Sequence, residues 1–131
     1  MFSRVHSFVA AALIASSIVL ATPLRNDTLS ARQSFSGTAT FFFQNGNPGA
    51  CGQFHNDQDH IVALQTEVYD NGAHCGATIT ITDTNTGVTA TGVVADECPT
   101  CDGTGSIDLS QGLFEVFAPD SAGVFPVSWH F

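Results

Sequence analysis

The sequence predicts an all-β domain, a small barrel carrying one short helix. Three observations predict it. Short runs rich in Thr, Val, Ile and Phe recur along the chain, and residues 77–82 (ATITIT) alternate strictly, the two-residue period of a strand with one buried face. Dense turn signals such as residues 44–49 (QNGNPG) and 83–87 (DTNTG) separate these runs. A single short stretch, residues 111–117, spaces its apolar side chains for a helix. Many short strands, abundant turns and one helix argue for a barrel.

From the amino end, residues 36–43 (SGTATFFF) suit a pleated sheet and read as the first strand, stopped by the 44–49 turn with Cys51 and Gly52 directly after it. Residues 54–60 (FHNDQDH) read as a solvated loop. His55, Asp57, Asp59 and His60 lie close there, but their spacing matches no standard calcium or zinc loop, so no metal is expected. Residues 61–64 (IVAL) are a buried strand, and 65–76, with Tyr69 and Asp70-Asn71-Gly72, a turn-rich connection. In the next strand Ala77, Ile79 and Ile81 share one face and three Thr the other; a hairpin at 83–87 returns the chain as residues 88–95. Cys98-Pro99-Thr100-Cys101 is a pinned turn, and Gly103-Thr104-Gly105 reverses the chain into Ile107-Asp108-Leu109. Ser110 is placed to cap the 111–117 helix, whose Leu113, Phe114 and Phe117 fall on one face before Ala118-Pro119 stops it. Residues 123–131 close the chain as a strand in which Val127 and Trp129 oppose Ser128 and His130, with Trp129 assigned to the core.

Charge narrows the choice of partner. Arg4, Arg25 and Arg32 are the only basic side chains and all precede Phe35, whereas eleven of the twelve carboxylates follow residue 34. Such a domain cannot neutralise phosphates, so nucleic acid and anionic membranes are poor partners, and no phosphorylated cofactor is expected. Self-repulsion should ease as the pH falls, which predicts greater stability at mildly acidic than at neutral pH.

At the amino terminus, Arg4 and His6 precede an apolar run over residues 8–21 ending in Val19-Leu20-Ala21, the pattern of a secretory signal peptide over 1–21 and too short for a membrane span. Residues 22–34 read as a propeptide or flexible tail, with one glycosylation sequon at Asn26-Asp27-Thr28. The expectation is a secreted monomer with a single folded domain over 35–131. In that setting Cys51, Cys75, Cys98 and Cys101 favour two disulfides, and their spacing leaves all three connectivities open. A redox role for Cys98 and Cys101 lacks the strand-helix-strand context it needs.

The most chemical stretch is residues 93–110 (VVADECPTCDGTGSIDLS). Asp96 and Asp108 leave neighbouring elements through one tight loop and can face a common groove, the raw material for general acid chemistry or for gripping sugar hydroxyls. Each also has a plainer reading: Asp108 as a cap of the turn into the helix, Asp96 as an acceptor for backbone N–H groups across the Gly103 loop.

Gly37-Thr38-Ala39-Thr40-Phe41, Ala50-Cys51-Gly52, Ile61-Val62-Ala63-Leu64, Cys75-Gly76, Ala95 to Cys101 (ADECPTC), Ile107-Asp108-Leu109-Ser110 and Val127 to Phe131 (VSWHF) follow an order that resembles the expansin-like double-psi β-barrels. The nearest likeness is to the fungal single-domain loosenins, with bacterial rare lipoprotein A domains and plant barwin as wider relatives. The resemblance implies one six-stranded double-psi β-barrel, with no second, carbohydrate-binding domain after residue 131. It places Asp108 at the aspartate essential in expansins and used as general acid by related endoglucanases, Asp96 at the second groove aspartate, and Thr40 at a groove threonine. The endoglucanases' base would fall near Phe42, which takes no proton, so hydrolysis is not expected. A groove tyrosine of expansins would fall near Cys98. By analogy with barwin, Cys51 pairs with Cys75, and Cys98 with Cys101. Tyr69, Phe42, Phe43 and Phe54 are the aromatics available to stack on pyranose rings, one or two of them as exposed platforms.

These implications favour a secreted, non-hydrolytic protein that docks a neutral cell-wall polysaccharide (cellulose, another β-glucan or chitin) through Asp108, Asp96 and Thr40. A competing reading is a protein-binding module, a protease inhibitor or effector, whose contacts lie on loops 44–51 and 54–60. A degenerate endoglucanase, with Asp70 or Asp102 in the missing base's role, ranks last.

Overall fold

The computed structural model describes residues 32–131, so the expected signal peptide and residues 22–31 of the expected 22–34 tail lie outside the described residues, while Ser34 already belongs to the first strand. Its elements in chain order are β1 (Ser34–Phe42), β2 (Ile61–Gln65), α1 (Thr66–Tyr69), β3 (Thr78–Asp83), β4 (Thr89–Cys98), β5 (Ile107–Ser110), α2 (Gln111–Phe114) and β6 (Phe125–His130). The strands close into a barrel in the order β1-β5-β2-β4-β3-β6. Two pairs, β1 with β5 and β2 with β4, are parallel, and the other four are antiparallel.

Strand alternation fills the interior. Val62, Leu64, Ile79, Ile81, Ile107, Leu109 and Val127 are all fully buried, and α2 closes over them with Leu113 and Phe114. The predicted faces of residues 77–82 hold: Ile79 and Ile81 are buried while Thr78 is exposed. Trp129 is core, as its place opposite His130 implied; it stacks on Phe35 at 4.2 Å between ring centroids, and its indole N–H donates to Gly105 O at 2.8 Å. The disulfides are Cys51–Cys75 and Cys98–Cys101.

Three local expectations are corrected. The 65–76 connection contains a helical turn, α1, whose first free N–H, that of Glu67, is taken by the Gln65 side chain. The second helix ends at Phe114, three residues early, and single turns carry the chain on to a buried Phe117. Ser110 does not cap it. It ends β5 with its side chain buried, and its hydroxyl donates to Asp59 O and accepts from Ile61 N, tying the 54–60 loop to the start of β2.

Candidate functional site

The site begins with a register. Thr40 of β1 pairs with Asp108 of β5, Asp108 with Ala63 of β2, and Ala63 with Asp96 of β4, so four adjacent strands place Thr40, Asp108, Ala63 and Asp96 in one row. At about 4.8 Å per strand the row spans about 14 Å. Asp96 joins it through a bulge: Val62 faces Val94 but the next residue, Ala63, faces Asp96, leaving Ala95 as the extra residue. Ala63 brings no bulk between the two aspartates and is itself buried.

Thr40 Oγ1 donates to Asp108 Oδ1 at 2.8 Å. Burial dominates the Asp108 carboxyl and raises its pKa above the ordinary aspartate value; the hydrogen bonds from Thr40 and the Leu109 backbone pull the other way, and the charge of Asp96 adds to the rise. The side chain is only half-buried, so it remains open to a ligand. Around it lies a groove of about 130 Å³ walled by hydroxyls: Thr38, Thr40, Thr100 and Ser106, with Asp102 and the Cys98–Cys101 disulfide at the edge. Ser106 is held by β1, its hydroxyl accepting from Thr38 N at 3.1 Å.

The structure separates the predicted residues. Thr40 and Asp108 line the groove together. Asp96 stands beyond Ala63 and is engaged by backbone, its Oδ1 accepting from Ala50 N at 2.7 Å and from Glu97 N at 2.8 Å. Phe42, half-buried, lies on the Thr40 face of β1 one alternation further along. Tyr69 leaves the set: it is 8 % exposed in the core cluster, its hydroxyl 3.7 Å from Cys75 Sγ, because α1 turns it inward against the Cys51–Cys75 bridge. Of the remaining candidate aromatics, Phe43 is 48 % and Phe54 70 % exposed. Of the carboxylates considered as a replacement base, Asp102 borders the groove, while Asp70 borders a separate cavity beside Phe35 and Phe131. In the 54–60 loop, His55 Nδ1 lies 3.5 Å from Asp59 Oδ2, and Asp57 accepts instead from Gln44 N at 2.6 Å.

Sequence reasoning missed Thr38, Ala63, Thr100 and Ser106. Thr38 was readable, being two residues from Thr40 on one strand face. The others depend on which strands become neighbours, and no local pattern carries that. Chemically the groove offers one carboxyl of raised pKa among neutral hydroxyls, a set that exchanges hydrogen bonds with a polyhydroxylated ligand.

Comparison with known proteins places this geometry in a lineage. Residues 8–113 match the family model described as Kiwellin-1. The chain is 41 % identical over 99 residues to the ripening-related protein grip22 of Vitis vinifera and 37 % identical over 86 residues to allergen Asp f 7 of Aspergillus fumigatus, covering 64 % of itself in each case. It spans only 44 % and 30 % of the length of those relatives. Among solved structures it is similar to an expansin of Clavibacter michiganensis, both apo (27 % identity, TM-score 0.65) and as an aspartate-to-asparagine mutant in complex with cellohexaose (26 %, 0.64), over 74 % of this chain and 49 % of that one. It is also similar to the Streptomyces papain inhibitor, at 28 % identity and TM-score 0.65, over 75 % of this chain and 93 % of that one. The parallel strand pairs, the two disulfides and these matches lead to one conclusion: the chain belongs to the Kiwellin-1 family, on the double-psi β-barrel shared by expansin-like and barwin-like proteins.

Proposed function

We propose that the chain is a secreted protein that binds a neutral cell-wall polysaccharide in the Asp108 groove and loosens the packing of its chains without cleaving them. The observation that carries this reading is the Thr40–Asp108 pair, a carboxyl of raised pKa held at 2.8 Å by a hydroxyl in an open groove. Held this way, Asp108 donates or accepts according to its protonation, and the surrounding Thr and Ser hydroxyls do either. A groove of that kind replaces hydrogen bonds between glycan chains with hydrogen bonds to protein. The cellohexaose complex of the related expansin supports the substrate class.

The test is depletion of the protein from solution by insoluble cellulose, β-glucan and chitin, with reducing ends assayed in the same tubes. Binding that falls about tenfold or more in Asp108→Asn, the loss of one charge-assisted pair in a desolvated groove, is the expected outcome. New reducing ends would overturn the non-hydrolytic wording.

A second reading rests on its own observation. Phe54 and Phe43 stay exposed although their loops are well tied: Pro48 bridges Phe54, Cys51 is bonded to Cys75, and Gln44 N donates to Asp57. Rigid loops presenting unburied Phe suit a protein interface, and the papain inhibitor on the same barrel supports that use. Loss of partner binding in Phe54→Ala with Asp108→Asn unaffected would favour it.

A further inference from the structure

A second, larger concavity opens at the barrel end beside the groove. Its volume is about 410 Å³, against about 130 Å³ for the groove, and its walls are of another kind. Phe35, His74 and Phe131 give it an aromatic lining, and Glu67, Asp70 and Thr104 give it polar edges. The rings form one assembly: Phe131 stacks on His74 at 4.4 Å and meets Phe35 edge-on at 6.2 Å, and Phe35 lies flat on the buried Trp129. Phe131 nevertheless remains 38 % exposed, so this apolar surface is available to a ligand.

The two concavities share their framework. β1 contributes Phe35 to the cavity and, further along, Thr38 and Thr40 to the groove. The turn after the Cys98–Cys101 bridge contributes Thr104 to the cavity, and Asp102 and Ser106 on either side of it to the groove. That turn is a fixed ridge. Gly105 lies against the Ser36 backbone where a Cβ would collide with Ser36 O, and Trp129 holds Gly105 O. From Phe35 to Thr40 an extended strand covers about 17 Å, and the two side chains lie on opposite faces of β1, so a ligand passes from one place to the other only around the barrel end, over the Thr104 turn.

We infer that this cavity is an aromatic subsite for the same glycan whose hydroxyls the groove holds, reached across the Thr104 ridge. This rests on the polysaccharide reading of the groove. A pyranose has polar edges and apolar C–H faces, and the groove lined by hydroxyls and carboxyls serves the edges alone. Phe131 and Phe35 serve the faces, while Glu67 and Asp70 accept hydroxyls at the rim; neither carboxylate has a side-chain partner among the described residues. The consequence is dependence on ligand length: an oligosaccharide of several sugars contacts both places, and a short one only the groove.

The experiment is an NMR titration of the secreted chain with the trimers and hexamers of the cello- and chito-oligosaccharide series. Three variants run alongside: Asp108→Asn in the groove, Phe131→Leu in the cavity, and Thr104→Trp at the exposed ridge, where added bulk blocks the crossing without touching the core. The expected result is that a hexamer moves the amides of His74 and Phe131 together with those of Thr40 and Asp108. Phe131→Leu and Thr104→Trp then weaken the hexamer about fivefold and leave the trimer unchanged. Asp108→Asn weakens both lengths. Hexamer shifts confined to the groove, or a hexamer indifferent to both cavity variants, would overturn the subsite and leave the groove reading standing. No shift with any of these four oligosaccharides, together with no depletion by cellulose, β-glucan or chitin, overturns both. Oligolysine moving the cavity amides where no sugar does would assign the cavity to a basic partner and overturn the glycan subsite.

Discussion

Asp108 and Asp96 share a row of the barrel but not a chemistry. Asp108 is raised by burial, so the folded chain holds its proton more tightly than the unfolded chain does. A raised carboxyl contributes stability that is fully present below the ordinary pKa of 3.8 and is lost as the pH climbs through the higher folded value. Asp108→Asn removes the half-buried carboxyl whose ionised form burial disfavours; melting curves should place it above the parent at pH 7 and level with it well below 3.8, and a lower melting temperature at pH 7 would contradict this. Thr40→Val removes the hydrogen bond that pulls the pKa down, so the NMR titration midpoint of Asp108 should move up further. Asp96 is held by the backbone instead. Its carboxylate accepts from Ala50 N and Glu97 N, and Asp96→Ala should cost about 1.5–3 kcal/mol in urea unfolding, the range for hydrogen bonds to a charged group. Asp96 is thus a backbone acceptor, but its donors are Ala50 in the 44–51 loop and its own neighbour Glu97 rather than the Gly103 loop that the sequence suggested.

At the scale of elements, the groove depends on how the 99–106 segment is fastened. Gly105 has no room for a side chain against Ser36, and Gly37 has none against Gly105 and Ser106, so two glycines from distant positions interlock. Gly105→Ala should destabilise by about 1–3 kcal/mol, as overpacking does, and open the groove by displacing Ser106 from Thr38. The disulfides divide by loop length. Cys51–Cys75 closes 24 residues and Cys98–Cys101 only 3, so chain entropy predicts that losing the first costs about 3.5 kcal/mol and the second about 2 kcal/mol. Denaturant curves of the paired Cys→Ser variants check the order. Legibility follows the same division. Residues 77–82 and the apolar face of residues 111–117 were readable because a period recurs within a few residues. α1 was not, since four residues show no helical period, nor was the turn of Ser110 toward Asp59, 51 residues away. The Thr40–Asp108 contact spans 68 positions; the motif order that resembles the expansin-like barrels pointed to it, and spacing alone did not.

For the whole molecule, charge decides between the partners still in play. Beyond Arg32 the chain carries eleven carboxylates and no Lys or Arg, so the domain is strongly net negative and its aspartate-lined concavities have no Lys or Arg to offset them. That self-repulsion predicts a melting temperature higher at mildly acidic than at neutral pH, in the same direction as the Asp108 effect but distinguishable from it: added salt screens the general repulsion and leaves the desolvation of one buried carboxyl in place. The same field separates a neutral polysaccharide from a protein partner. A glycan brings no charge, so its affinity should stay constant within about twofold from roughly 0.01 M to 1 M salt, although the screening length falls from about 30 Å to about 3 Å. A protein drawn to so acidic a surface is steered by its own basic groups, and its association should slow by tenfold or more over that range. Surface plasmon resonance across a salt series reads both. Salt-independent capture by immobilised glycan, lost in Asp108→Asn, assigns the binding to the groove; a steep salt dependence that Asp108→Asn does not alter assigns it to the loops that carry Phe43 and Phe54.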